Sequence, residues 1–124
     1  MGPKGSWARL AAALIILVTA LFAPAPAHAG ALVHVQKVTL TTPASGSAEV
    51  VVATSVSPKF SARVANGGLR LLVDITDADV AGADPAIVKG NEVVAGVLTQ
   101  AYEVDGQRLT RVLVTLAKFA EYDI

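Results

Sequence analysis

Histidine and cysteine side chains supply much of the chemistry at enzyme and metal sites, and this sequence is poor in both. Its 124 residues contain no cysteine and only two histidines, His28 and His34. A zinc site normally takes several such ligands, and a serine triad needs its histidine together with a context such as Gly-x-Ser-x-Gly, which the sequence lacks. We therefore predict that the chain is not an enzyme, has no catalytic or metal-binding residue and needs no cofactor. His34 is interpreted as a structural or surface residue.

Aspartates are concentrated between Asp74 and Asp84, in the segment DITDADVAGAD. Calcium binds about six to eight oxygen atoms, and closely spaced aspartates can supply some of them. The EF-hand pattern is not met, because the segment lacks the glycine at the sixth position and the glutamate at the twelfth. We expect a solvated loop here, with a bound calcium ion as the alternative.

The segment LRLLVDI, residues 69–75, alternates between aliphatic and charged side chains. In a strand, this period of two buries the aliphatic residues and turns Arg70 and Asp74 to the opposite face. The two charges are too far apart along one strand for a direct bond, so each needs partners on neighbouring strands. They are interpreted either as surface charges paired with residues such as Lys59, or as a polar stripe presented to a ligand.

The first 29 residues have the three parts of an export signal in the required order. Lys4 and Arg9 are basic, residues 10–22 (LAAALIILVTALF) are apolar, and residues 23–29 (APAPAHA) end in a small-x-small pattern. We predict a signal peptide that is cleaved after Ala29, with a retained membrane anchor as the alternative. A spanning helix needs about 20 apolar residues, more than this run contains. The processed chain is predicted to lie outside the cytoplasm without a stable membrane anchor.

The processed chain, residues 30–124, keeps eight of the ten basic residues against ten acidic ones. Nucleic-acid-binding proteins and domains bound to anionic membranes carry a clustered basic face, so neither partner is predicted. Valine-rich alternating segments separated by turn residues are typical of an all-β sandwich or barrel. We predict a loop with at most one short helical turn at residues 77–91, and strands at residues 32–40, 48–55, 59–65, 69–75, 93–104, 107–116 and 120–124.

Asp105-Gly106 predicts a two-residue hairpin turn between the two longest strands, because both central positions of a type I′ turn need positive φ. This turn sets the cross-strand register of the two strands. An opposite-charge pair and an aromatic–aliphatic pair then lie beside the turn, and both are favourable. The predicted pairs are Glu103 with Arg108, Tyr102 with Leu109 and Val97 with Val114.

Asn66-Gly67 predicts a second hairpin of the same kind. Its two-residue register places Arg63 directly opposite Arg70, which is unfavourable for like charges. Either Gly68 changes the register or the arginine pair has a role. The other predicted pairs are Val64 with Leu69, Ala62 with Leu71, Phe60 with Val73 and Lys59 with Asp74.

The order of these segments resembles the AMIN domain, a periplasmic module of bacterial envelope proteins. KFSARV and RLLVDI flank the Asn-Gly turn, VVAGVLTQAY follows the variable loop, and RVLVTL and FAEYDI follow the Asp-Gly turn. The resemblance covers residues 33–124. Two departures are present: Asn66-Gly67-Gly68 replaces the proline that usually precedes the R-x-V-x-D strand, and the last strand is incomplete. We therefore expect a piece of a longer protein or a truncated copy.

The resemblance implies a β-sandwich of two short sheets over residues 30–124, located in the periplasm, with peptidoglycan and envelope or pilus assembly proteins as partners. Family positions map onto Arg70, Asp74 and Arg111, and together with Arg63 these form the predicted peptidoglycan-binding site. AMIN domains occur at the N-terminus of type IV pilus secretins and of N-acetylmuramoyl-L-alanine amidases. We expect the secretin. The alternatives are an amidase-targeting domain, or an assembly protein whose exposed last strand pairs with another chain.

Overall fold

The structure, a computed structural model, describes residues 13–20 and 32–124. Those residues form ten β-strands and one 3₁₀ turn, at Asn66–Gly68, and contain no α-helix. They confirm the predicted all-β sandwich of two short sheets. In chain order the strands are β1 (Ala13–Ala20), β2 (Val33–Thr41), β3 (Ser47–Thr54), β4 (Phe60–Ala65), β5 (Arg70–Thr76), β6 (Ala78–Val80), β7 (Ala86–Ile87), β8 (Val94–Val104), β9 (Gln107–Leu116) and β10 (Glu121–Asp123).

Two five-stranded sheets share one hydrophobic core. The first sheet has the strand order β10-β1-β3-β2-β6, and the second has the order β4-β5-β9-β8-β7. Because side chains alternate across a strand, each sheet turns one apolar face inward. The chain has no cysteine to cross-link it, so burial of this layer is its main source of stability. The fully buried members include Ile16, Val35, Val50, Val52, Leu71, Val73, Ile75, Val97, Val112 and Val114.

The seven strands predicted after the leader are all present, and their ends agree with the prediction to within one residue. The predicted loop at residues 77–91 instead contains two short strands, β6 and β7, and no helical turn. β6 pairs in parallel with β2, through the partners Val33 and Ala78 at one end and Val35 and Val80 at the other. Because β2 lies far from β6 in the sequence, the local residue pattern does not predict that residues 78–80 form a strand.

The β8–β9 hairpin has the predicted register. Glu103 lies opposite Arg108, Tyr102 opposite Leu109 and Val97 opposite Val114. Asp105 and Gly106 have φ values of 51° and 78°, as a type I′ turn requires. The register predicted from the turn residues is therefore confirmed from the turn to Gly96, beyond which a register shift separates Gly96 from Val94.

The two-residue register considered for the β4–β5 hairpin is wrong by two residues, and the alternative, in which Gly68 changes the register, is confirmed. Arg63 lies opposite Leu72 and Arg70 opposite Ala65, so the two arginines are not directly paired. The connection uses four residues, 66–69, because Gly68 adopts a φ of 90° and extends the turn. The shift gives Ser61 the place that was predicted for Lys59. The observed pairs are Phe60 with Ile75, Ser61 with Asp74, Ala62 with Val73 and Val64 with Leu71.

The predicted signal peptide, residues 1–29, lies mostly outside the described residues, as does the predicted cleavage after Ala29. Its described part is β1, which lies between β3 and β10 and runs parallel to both. Leu14 and Ile16 are 1% and 0% exposed and belong to the core. Across residues 13–20 and 32–124, no helix is long and apolar enough to cross a membrane.

Asn91 holds the start of β8. Its Oδ1 accepts hydrogen bonds from the backbone N–H groups of Val93 and Val94, at 2.9 and 2.8 Å. Its Nδ2 donates to the hydroxyl of Thr42 at 3.0 Å. The loop between β2 and β3 is therefore tied to the point where β8 enters the core.

Asn91→Ala is expected to lower the free energy of unfolding by about 1–3 kcal/mol, because two backbone N–H groups lose their acceptor. Thr42→Val is the matched control, since it removes only the bond between the two loops and should cost about 0.5–1 kcal/mol. Urea denaturation of both variants measures the difference. Equal losses in the two variants would contradict the assigned role of Asn91.

Candidate functional site

The four residues predicted to form a binding site lie on one surface, the outer face of the second sheet. Alternate residues of β5 are fully buried, so Arg70 and Asp74 project away from the core. The antiparallel pairing places Arg63 of β4 and Arg111 of β9 on the same side. We call this surface the arginine face. Its members are Arg63, Arg70, Leu72, Asp74, Leu98, Gln100, Tyr102, Arg111 and Leu113.

Asp74 and Arg111 are directly opposite each other on β5 and β9. The Nε of Arg111 donates to Oδ1 of Asp74 at 2.7 Å, and Nη2 donates to Oδ2 at 3.0 Å. This bidentate geometry matches the planar guanidinium to the carboxylate. The hydrogen bonds from Arg111 to Asp74 raise the pKa of Arg111, against a smaller opposing effect of burial. The guanidinium therefore stays charged and fixed in direction.

Tyr102 and Gln100 of β8 complete the surroundings of Arg111. The guanidinium carbon lies 5.4 Å from the centre of the Tyr102 ring, a cation–π distance. The Tyr102 hydroxyl donates to Oε1 of Gln100 at 2.6 Å, and Gln100 is the cross-strand partner of Arg111. Neither residue was predicted to belong to the site, although the predicted hairpin register already aligned Gln100 with Arg111.

Arg63 and Arg70 form the second polar part of the arginine face. Both are exposed, and they lie on a diagonal of the β4–β5 pair, since Arg63 faces Leu72 and Arg70 faces Ala65. Diagonal neighbours are about 7–8 Å apart between Cα atoms, which long side chains can span. Neither arginine forms an ion pair with any residue in the described ranges.

A row of leucines lies beside the Asp74–Arg111 pair. Leu72, Leu113 and Leu98 are aligned across β5, β9 and β8. Leu98 is 44% exposed, and the other two are half-buried. The arginine face therefore offers apolar surface next to its charged groups.

The two polar parts of the arginine face differ in what they can bind. Asp74 neutralises Arg111 and accepts hydrogen bonds from two of its five N–H donors, which leaves three donors in the plane of the held guanidinium group. Arg63 and Arg70 carry two positive charges and form no ion pair with a described residue, although Asp74 is the other diagonal neighbour of Arg63. An anionic ligand is therefore attracted first to Arg63 and Arg70.

His34 lies in the first sheet, away from the arginine face. Its Nδ1 is 2.6 Å from Oδ1 of Asp79, and the His34 side chain is 44% exposed. Nη1 of Arg108 lies 4.0 Å from the other carboxylate oxygen of Asp79. This contact follows from the parallel pairing of β2 with β6, where His34 and Asp79 are direct partners.

The acidic run is divided between the two sheets. Asp74 binds Arg111 on the second sheet, whereas Asp79 binds His34 on the first. The part of the chain that the structure describes contains no group of three or more histidine, cysteine or acidic side chains arranged to hold a metal ion. The calcium site considered for this segment has no support from the arrangement of these two carboxylates.

A double-mutant cycle of Asp74→Asn and Arg111→Gln should give a coupling of about 0.5–1.5 kcal/mol, modest because the side chains are 23% and 28% exposed. The raised pKa of Arg111 keeps its contribution intact below the ordinary arginine pKa, so the coupling should not change between about pH 7 and 10. Asp79→Asn with Arg108→Gln, whose charges are 4.0 Å apart, is the matched control. A coupling no larger than in the control would contradict this interpretation.

In comparisons with known proteins, no family model, no curated protein and no solved structure matches the chain.

Proposed function

We propose that this chain is a non-catalytic periplasmic domain of the AMIN type, which binds peptidoglycan and thereby localises an envelope machine. In this proposal it is the N-terminal part of a type IV pilus secretin. The observation that supports the proposal is the pair Arg63 and Arg70, exposed on one surface without an acidic partner among the described residues. The predicted resemblance to AMIN domains supplies the identity of the ligand.

Arginine suits the proposed ligand because its planar fork grips a carboxylate through two hydrogen bonds. The peptide stems of peptidoglycan carry such carboxylates. Arg63 and Arg70 bind them, while Asp74 holds Arg111 on the same face of the sheet and leaves three of its N–H donors unused by that pair. The leucine row and the Tyr102 ring provide apolar area against which a sugar or an alanine side chain packs.

The affinity of one copy for peptidoglycan is low, because each contact is made by an exposed charge in water. Several copies assembled on one envelope machine bind the same wall together, and the linked contacts raise the overall affinity. Screening by salt weakens each contact, so binding is sensitive to ionic strength. These properties fit a domain that positions a large assembly without fixing it permanently.

Replacing both exposed arginines, Arg63→Gln with Arg70→Gln, should reduce retention on purified sacculi by about tenfold at low salt, equivalent to about 1.4 kcal/mol for the pair. Lys89→Gln with Lys118→Gln is the matched control, because it removes the same charge from exposed positions outside the arginine face. A sacculus sedimentation assay measures bound against free protein. If the arginine variant and the lysine variant are retained equally, the site is wrongly assigned.

A further inference from the structure

β1 completes the first sheet. All eight of its residues pair in parallel with Ser47–Thr54 of β3, and its first three pair with Glu121–Asp123 of β10. Among the described residues, β10 pairs with no other strand. β1 therefore joins β10 to the sheet.

β1 also supplies part of the core. Leu14 and Ile16 are 1% and 0% exposed and lie in the same cluster as Val50 and Val52 of β3. Ile15 and Leu17, which point outward, are each 40% exposed. A strand between β3 and β10 thus buries large aliphatic side chains at its inward-pointing, alternate positions.

The same residues form the hydrophobic segment of the predicted export leader. Cleavage after Ala29 would separate β1 covalently from the rest of the domain. Loss of β1 would leave one edge of β3 unpaired along eight residues, while its other edge stays paired with β2, and would open the core where Leu14 and Ile16 lie. An unpaired, valine-rich edge of this length is a template for pairing with another chain.

We propose that the processed domain accepts, in the place of β1, an extended strand from another envelope protein. This proposal rests on the periplasmic location in the proposed function and on the predicted cleavage after Ala29, and is independent of peptidoglycan binding. The incoming strand runs parallel to β3 and carries large aliphatic residues at the positions of Leu14 and Ile16. The bound geometry of β1 defines these requirements.

The flanking charges add a further requirement. Ile15 has Glu49 of β3 as its partner on one side and Asp123 of β10 on the other, and all three point to the outer face. A lysine or arginine at this position would lie between two carboxylates. A strand with a basic residue between two aliphatic ones is therefore favoured over one with an acidic residue there.

The rest of the described chain does not offer a free strand of this kind. The most aliphatic uncharged stretches after β1 are residues 50–56, 93–98 and 112–117. They lie largely in β3, β8 and β9, which are already paired within the sandwich. A second copy could donate one of them only by opening its own sheet, which is why a different protein is the proposed donor.

A peptide-exchange experiment tests the proposal. The full chain is purified folded with a specific protease site placed between residues 29 and 30, and is then cut and refolded from urea with an excess of a labelled peptide of residues 13–20 bearing a soluble tail. We expect the peptide to replace the leader fragment and to protect the amide hydrogens of Val50 and Val52 from exchange. The uncut chain, whose position is filled covalently, should bind no peptide.

Peptide variants test the stated chemistry. A peptide with Leu14→Asp and Ile16→Asp should bind at least about a hundredfold more weakly, since two buried aliphatic side chains become charged. A peptide with Ile15→Lys should bind several-fold more tightly than one with Ile15→Glu. Equal binding of all these peptides would overturn the proposal.

Three other results would also overturn it. The leader fragment could remain bound despite excess peptide, which would make β1 a permanent part of the domain. The cut chain could lose its β circular dichroism even with peptide present, or it could form dimers that exclude the peptide. Sacculus retention, measured on the same samples, reports separately on the arginine face, so failure of one proposal is distinguishable from failure of the other.

Discussion

Burial of one thin layer of branched aliphatic side chains between two sheets is the constraint on which the rest of this structure depends. The core consists of valine, leucine, isoleucine and alanine. The aromatic residues that the structure describes are all on the surface, from Tyr102 at 39% exposure to Phe119 at 71%. Because small side chains fill the core and no disulfide supports it, each strand that contributes buried residues carries a large share of the stability.

Because of this constraint, the short strand β1 makes a large contribution to the stability of the domain. Its two inward side chains, Leu14 and Ile16, belong to the same core as the central valines of β3. An export leader and an interior β-strand both require a largely aliphatic segment, so the predicted leader and the observed strand β1 draw on the same residues, 13–20. The predicted cleavage would conflict with the observed strand, because a segment that is cut from the chain is no longer held covalently in the sheet.

The same alternation that builds the core creates the arginine face. Every residue of β5 that points inward leaves its neighbour pointing outward, so a well-buried strand necessarily presents Arg70, Leu72 and Asp74 to the other side. On this surface Asp74 and Arg111 neutralise each other, whereas Arg63 and Arg70 form no ion pair with a described residue. In the proposed arrangement the domain binds the cell wall through the second sheet and a protein strand through the first, on surfaces that do not overlap.

The amino-acid sequence by itself determined seven of the ten strands, the all-β class and the β8–β9 register, because alternation and a two-residue Asp-Gly turn act between neighbours in the chain. It also placed Arg63, Arg70, Asp74 and Arg111 as candidates. Asn66-Gly67 favours a two-residue turn and Gly68 left the register open, so only the structure decided for the longer connection at residues 66–69, in which the arginines are not directly opposite. Only the tertiary structure decided which distant residues are in contact. These contacts are the bidentate ion pair of Arg111 with Asp74, the contact of His34 with Asp79 and the parallel pairing of β1 with β3. Each joins segments far apart in sequence that lie on neighbouring strands of one sheet. The order of strands in a sheet is set by long-range pairing and packing on the shared core, which the local residue pattern does not contain.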